Sequence, residues 1–178
     1  MEKEKRITEH STFRIDKGIL ENLKAVAKEE KLSLNTYVNQ ILDSHLNWDV
    51  SAAQVGWVVM LKSALVDLAK NLDSKTIVQT AIKAAESGAK EIALYMRGKY
   101  GIDEWISIIR DRAKMSGFNF KEYEENNKTI LVMHHDMDQN WSLFFKTYYE
   151  KVFDDLGINI KTDFTENSIV IELDRGTA

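Results

Sequence analysis

Apolar and polar residues alternate along Thr12-Phe13-Arg14-Ile15-Asp16, and just after Asp16 the alternation gives way to a spacing of threes and fours. Successive strand side chains face opposite ways, so a period of two predicts a short strand with Phe13 and Ile15 on one face. Thr12, Arg14 and His10 share the other. Ile19, Leu20, Leu23, Val26 and Ala27 then mark the buried stripe of one helix. Leu34, Tyr37, Val38, Ile41, Leu42 and Leu46 mark that of a second, joined to the first by Lys31-Leu32-Ser33. Asp16 and Ser33 stand where helix N-caps are expected. A strand this short is unstable alone, and no partner strand follows it closely. The pattern therefore predicts pairing with a second copy across a two-fold axis. The product would be a two-stranded ribbon backed by four helices, narrow enough to enter the major groove of DNA.

Past Trp48 the pattern becomes mostly helical. Trp57, Leu61, Ala64, Leu65, Leu68 and Leu72 predict a helix over 51–72. Ser74 is the expected cap of a long helix carrying Ile77, Ala81, Ala85 and Ile92, and Ile102, Ile106, Ile109 and Ala113 predict a third that stops at Gly117. The small residues Ala81, Ala84, Ala85, Gly88 and Ala89 read as tight packing within one domain. From Phe118 the period returns to two. Asn126-Asn127 makes a turn between two strands, the second over 129–135. Asn140 is the expected cap of an aromatic helix, 141–156, ended by Gly157. Strands over 158–164 and 168–173 close a second hairpin. The expected organisation is a DNA-binding domain at 1–48 and an α+β domain at 49–178, helices followed by a β-β-α-β-β antiparallel sheet. The second domain would oligomerise or sense a ligand.

Ser11-Thr12-Phe13-Arg14-Ile15 and Leu32-Ser33-Leu34-Asn35-Thr36-Tyr37-Val38-Asn39-Gln40-Ile41-Leu42 resemble the ribbon-helix-helix family of DNA-binding proteins, the Arc, MetJ and CopG type. The resemblance covers the N-terminal segment only. It implies an intertwined homodimer in which Thr12, Arg14 and His10 read bases and Ser33, Leu34 and Asn35 clamp a phosphate at a helix N-terminus. Lys31 departs from the family, which usually places glycine at the end of the first helix. The proline often found entering that helix is also absent.

Charge changes this picture in one respect. The formal net charge is −4, and residues 1–48 hold eight basic and eight acidic side chains, so the deficit belongs to the remainder. A strong nonspecific DNA binder would be more basic. Dimerisation doubles the positive groups, and Lys5 and Arg6, with Lys3, form an arm suited to phosphates. Cysteine is absent, which removes disulfides, thiolate metal sites and cysteine nucleophiles. No stretch approaches the ~20 apolar residues of a membrane span, and Met-Glu-Lys-Glu-Lys-Arg lacks the apolar core of a signal peptide. The expected location is the cytoplasm, with no membrane partner.

Two further clusters could carry chemistry. Met133-His134-His135-Asp136 puts imidazoles and a carboxylate at a strand end, and His134 with Asp136, on one face, is the better pair for a metal. Two ligands are too few, so the expected reading is a surface or core-edge histidine pair, with no metal and no cofactor. Trp141, Phe144, Phe145 and Tyr148 share a helix face. They build a core or, where packing leaves a gap, line a pocket for a small-molecule effector. No phosphate-binding glycine loop, Gly-x-Ser-x-Gly or convincing Ser/His/Asp set is present, and no enzyme is expected. The sequence thus points to a DNA-binding transcriptional regulator, a homodimer or higher homo-oligomer bound to double-stranded DNA. The alternative is an antitoxin-type DNA-binding protein whose C-terminal part holds a partner protein.

Overall fold

The computed structural model describes residues 7–174. The chain divides into two compact units, the first ending at Asp43 and the second beginning at Ser44.

The first unit corrects the expected architecture. Residues 7–16 contain no strand, and the first regular element is helix α1, Lys17–Glu29. An N-terminal ribbon-helix-helix domain is therefore not what the structure shows. The physical reason is that a strand exists only through its ladder. Among the described residues the sheet contains four strands, all of them C-terminal to Ser116, and none pairs with 12–16. Phe13 and Ile15 are left 71% and 42% exposed. The two helices do form. The Asp16 carboxylate accepts from Gly18 N at 2.8 Å and Ile19 N at 3.2 Å, capping α1. At the other end Lys31 adopts φ 56°, its amide bonds Lys28 O at 3.1 Å, and the Leu32 amide bonds Ala27 O at 2.8 Å. This is the helix stop that usually requires glycine. Helix α2, Leu34–Ser44, starts where Ser33 Oγ accepts from Thr36 N at 3.0 Å.

The second unit opens with a π-helical turn, His45–Asp49, and a short helix α3, Val50–Ala52. The helix expected over 51–72 is broken. Gly56 takes φ 90°, outside any helix, and the Trp57 amide bonds back to Ala52 O at 3.0 Å. That turn brings the rings of Trp57 and Trp48 to 5.4 Å. Helix resumes as α4, Lys62–Ala69, followed by α5, Ser74–Arg97, and α6, Ile102–Met115. The cap of α5 is Asp73, whose carboxylate accepts from Thr76 N at 2.8 Å, and not Ser74. Next come β1, Asn119–Glu125, β2, Lys128–His134, helix α7, Asp138–Asp155, then β3, Ile160–Phe164, and β4, Ser168–Asp174.

All sheet pairings are antiparallel, in the order β1-β2-β4-β3. Leu131 lies opposite Ile171, and Met133 opposite Ile169, putting four buried side chains on one face. The core forms between that face and α5, α6 and α7. The alanine stripe of α5, Ala81, Ala85, Ala89 and Ala93, is buried throughout, and α5 packs closely along α7. Phe145, Tyr149, Val152 and Phe153 supply the bulk that these alanines leave room for. Helix α7 begins three residues earlier than expected because the Asp138 carboxylate caps it, accepting from Asn140 N at 2.9 Å. Asn140 instead ties down α4, donating to Ala69 O at 2.8 Å and Leu72 O at 3.3 Å.

Candidate functional site

The N-terminal residues singled out for DNA are open to solvent. His10, Thr12 and Arg14 are exposed, and they lie in the irregular segment before α1, not on a strand. Lys5 and Arg6 lie outside the described residues. Ser33 and Asn35 are exposed and Leu34 half-buried at the start of α2. The Ser33 hydroxyl is occupied there with the Thr36 amide and, at 2.7 Å, the Thr36 hydroxyl. The Asn35 carbonyl accepts from Asn39 Nδ2 at 2.8 Å.

The histidine pair divides between two environments. His134, at the exposed end of β2, shares a hydrogen bond of 2.9 Å with the Ser168 hydroxyl. Asp136 sits next along in a left-handed turn, φ 54°. Among the described residues no group of three His, Asp or Glu side chains gathers that could hold a metal ion. His135 is fully buried. Its Nδ1 accepts from Met137 N at 3.1 Å, which fixes the proton on Nε2, and Nε2 donates to Ser142 Oγ at 2.8 Å. Ser142 passes the chain on to Glu166 O at 3.0 Å. The neutral ring thus joins the end of β2, the start of α7 and the β3–β4 turn. Burial, reinforced by the neighbouring positive potential of His134 and Lys62, lowers its pKa to about 4 against the pull of Asp138.

The aromatic helix face divides as well. Tyr148 belongs to the core, and burial raises the pKa of its hydroxyl. Phe144 borders a small apolar recess with Leu68 and Leu72. Trp141 and Phe145 line a larger cavity of about 430 Å³. Its other walls come from Trp48 and Ala52, from Trp57 in the loop after α3, from Lys62 on α4 and from Arg112 on α6, with Phe118 beside them. Neither Arg112 nor Trp57 carries a local sign of a site, because the spacing over 51–72 predicts helix where a loop turns Trp57 towards Trp48.

Arg112 is the most unusual group in this cavity. Its guanidinium lies 4.7 Å from the Trp57 ring centre and 4.8 Å from that of Phe145, so rings cover it closely. Nη1 donates to the Tyr149 hydroxyl at 3.2 Å. Lys62 Nζ stands 5.4 Å from the Phe118 ring centre. The one carboxylate in the lining, Asp49, faces His45 at 3.3 Å. Neither Arg112 nor Lys62 forms an ion pair among the described residues. The other described arginines of this unit differ in this: Arg97 pairs with Asp111, and Arg110 with Glu122 at 2.7 Å.

Compared with protein-family models and with curated proteins, the sequence matches none. The site must therefore be read from its own chemistry. No helix among the described residues is long and apolar enough to cross a membrane.

Proposed function

We propose that this protein is a DNA-binding transcriptional regulator that acts as a homodimer joined through its N-terminal unit, with the C-terminal α+β unit carrying an effector pocket. The observation that carries the reading is the unfinished burial of the first unit. Ala27 is its one buried residue among those described. Phe13, Ile15, Ile19, Val26, Ile41 and Leu42 are all between 37% and 71% exposed. A unit this small does not hold two amphipathic helices together on one alanine. A second copy would cover these apolar side chains and bring two sets of His10, Thr12 and Arg14 side by side.

Those residues suit nucleic acid. Arg14 is exposed and forms no ion pair among the described residues, leaving its fork free for a guanine edge. The first amides of α2, at Leu34 and Asn35, have no intrahelical acceptor, as at any helix start, and can meet a phosphate. With no net positive charge over residues 1–48, binding would rest on a specific site more than on general attraction to the duplex.

The test uses the full chain. Sedimentation equilibrium should give a dimer at micromolar concentration, and a pool of random duplexes carried through rounds of binding should converge on a two-fold symmetric sequence. A monomer throughout that range, or a pool that stays random, would refute the proposal.

A further inference from the structure

We infer that the cavity beside Arg112 is a binding site for a small aromatic carboxylate. The inference rests on the effector pocket proposed above and names its ligand class, and because it is measured without DNA its failure is distinct from failure of the DNA-binding reading.

The argument begins with charge. A half-buried guanidinium such as that of Arg112 is stabilised by a counter-ion or hydrogen bonds that offset its partial desolvation. Arg97 and Arg110 each have a carboxylate, whereas Arg112 has one hydroxyl, that of Tyr149. The rings of Trp57 and Phe145, 4.7 Å and 4.8 Å from the guanidinium carbon, attract its charge but supply no carboxylate for its N–H edge. That edge matches a carboxylate with two parallel hydrogen bonds. Lys62 adds a second cation without an ion pair among the described residues, and the one carboxylate of the lining, Asp49, is turned towards His45. The cavity is therefore electrostatically suited to an anion.

Shape and lining choose the rest of the molecule. About 430 Å³ lies within the range of small-molecule pockets. Trp48, Trp57, Phe118, Trp141 and Phe145 wall it, so the complementary body is a flat ring system making edge and offset contacts.

Isothermal titration of the full chain with 1-naphthoate, 1-naphthamide and octanoate tests the assignment. The acid should bind at least about tenfold more tightly than the isosteric amide, the effect of one charge-assisted contact, and more tightly than octanoate. Arg112→Met should remove that preference, bringing the acid and amide affinities together. Lys62→Ala, which leaves the contacts of Arg112 with Trp57, Phe145 and Tyr149 in place, should also weaken acid binding, and it carries the test if Arg112→Met fails to fold. Acid and amide binding alike, no acid binding at millimolar concentration, or acid affinity unchanged in the folded variants would overturn the assignment. Octanoate binding as tightly as naphthoate would overturn the aromatic part of it.

Discussion

Acid should unfold the second unit through His135. The imidazole is wholly buried and neutral, with Nδ1 accepting from the Met137 amide and Nε2 donating to Ser142. Its pKa falls from an ordinary 6.5 to about 4 in the folded protein. The unfolded chain therefore takes up a proton as pH drops below 6.5 while the folded chain does not, so stability is complete above 6.5 and declines towards 4. At 1.36 kcal/mol per pKa unit the whole shift is worth about 3 kcal/mol, of which about 2 kcal/mol is lost by pH 5. Below about 4 both states are protonated and this contribution stops changing. Urea unfolding across pH 7 to 4 measures it directly. Trp48, Trp57, Trp105 and Trp141 all lie in the second unit, so tryptophan fluorescence follows that unit alone. Carboxylates titrate in the same range, and His135→Asn separates them. The asparagine oxygen can still accept from Met137 N, but the Ser142 bond is lost, costing about 1–3 kcal/mol at neutral pH. Wild type should then lose about 3 kcal/mol relative to the variant between pH 7 and 4. Parallel stability curves would refute the buried neutral histidine.

Two further substitutions probe particular joints. Lys31→Gly relieves a left-handed lysine at the end of α1 and should stabilise that helix by about 0.5–1 kcal/mol, seen as roughly two- to fivefold slower exchange of its amides. Asn140→Ala removes the side chain that holds the carbonyls of Ala69 and Leu72 and should cost about 1–2 kcal/mol in urea unfolding, with loss of protection first in α4.

The second unit was legible where periodicity and punctuation agreed. Gly117 and Gly157 stop α6 and α7 at φ 66° and 73°, and Asn126-Asn127 makes the first hairpin turn with both φ positive. The alternation of Ile169, Ile171 and Leu173 declared the buried face of β4. Long-range choices were not legible. Nothing local showed that Trp57 would leave the helical path to meet Trp48, or that Asp138 rather than Asn140 would cap α7 while Asn140 reached back to α4. The cavity followed from the first of these, so its Arg112 was invisible in the sequence, although Trp141 and Phe145 were among the expected lining residues. His135 was misplaced because strand alternation ends at His134, and the turn at Asp136 carries the ring inward. The strand over 12–16 was the largest departure. Alternation marks which residues suit a strand, but the ladder must come from elsewhere, and among the described residues no strand supplies it.

The central claim is that the N-terminal unit recognises a specific duplex through Arg14. The affinity of the full chain and of Arg14→Ala, for the duplex selected from the random pool and for an unrelated one, tests it most directly. Loss of a base contact should weaken binding to the selected duplex by about 1–3 kcal/mol and leave the unrelated duplex nearly unchanged. Equal loss on both duplexes, or no loss on either, would contradict the claim.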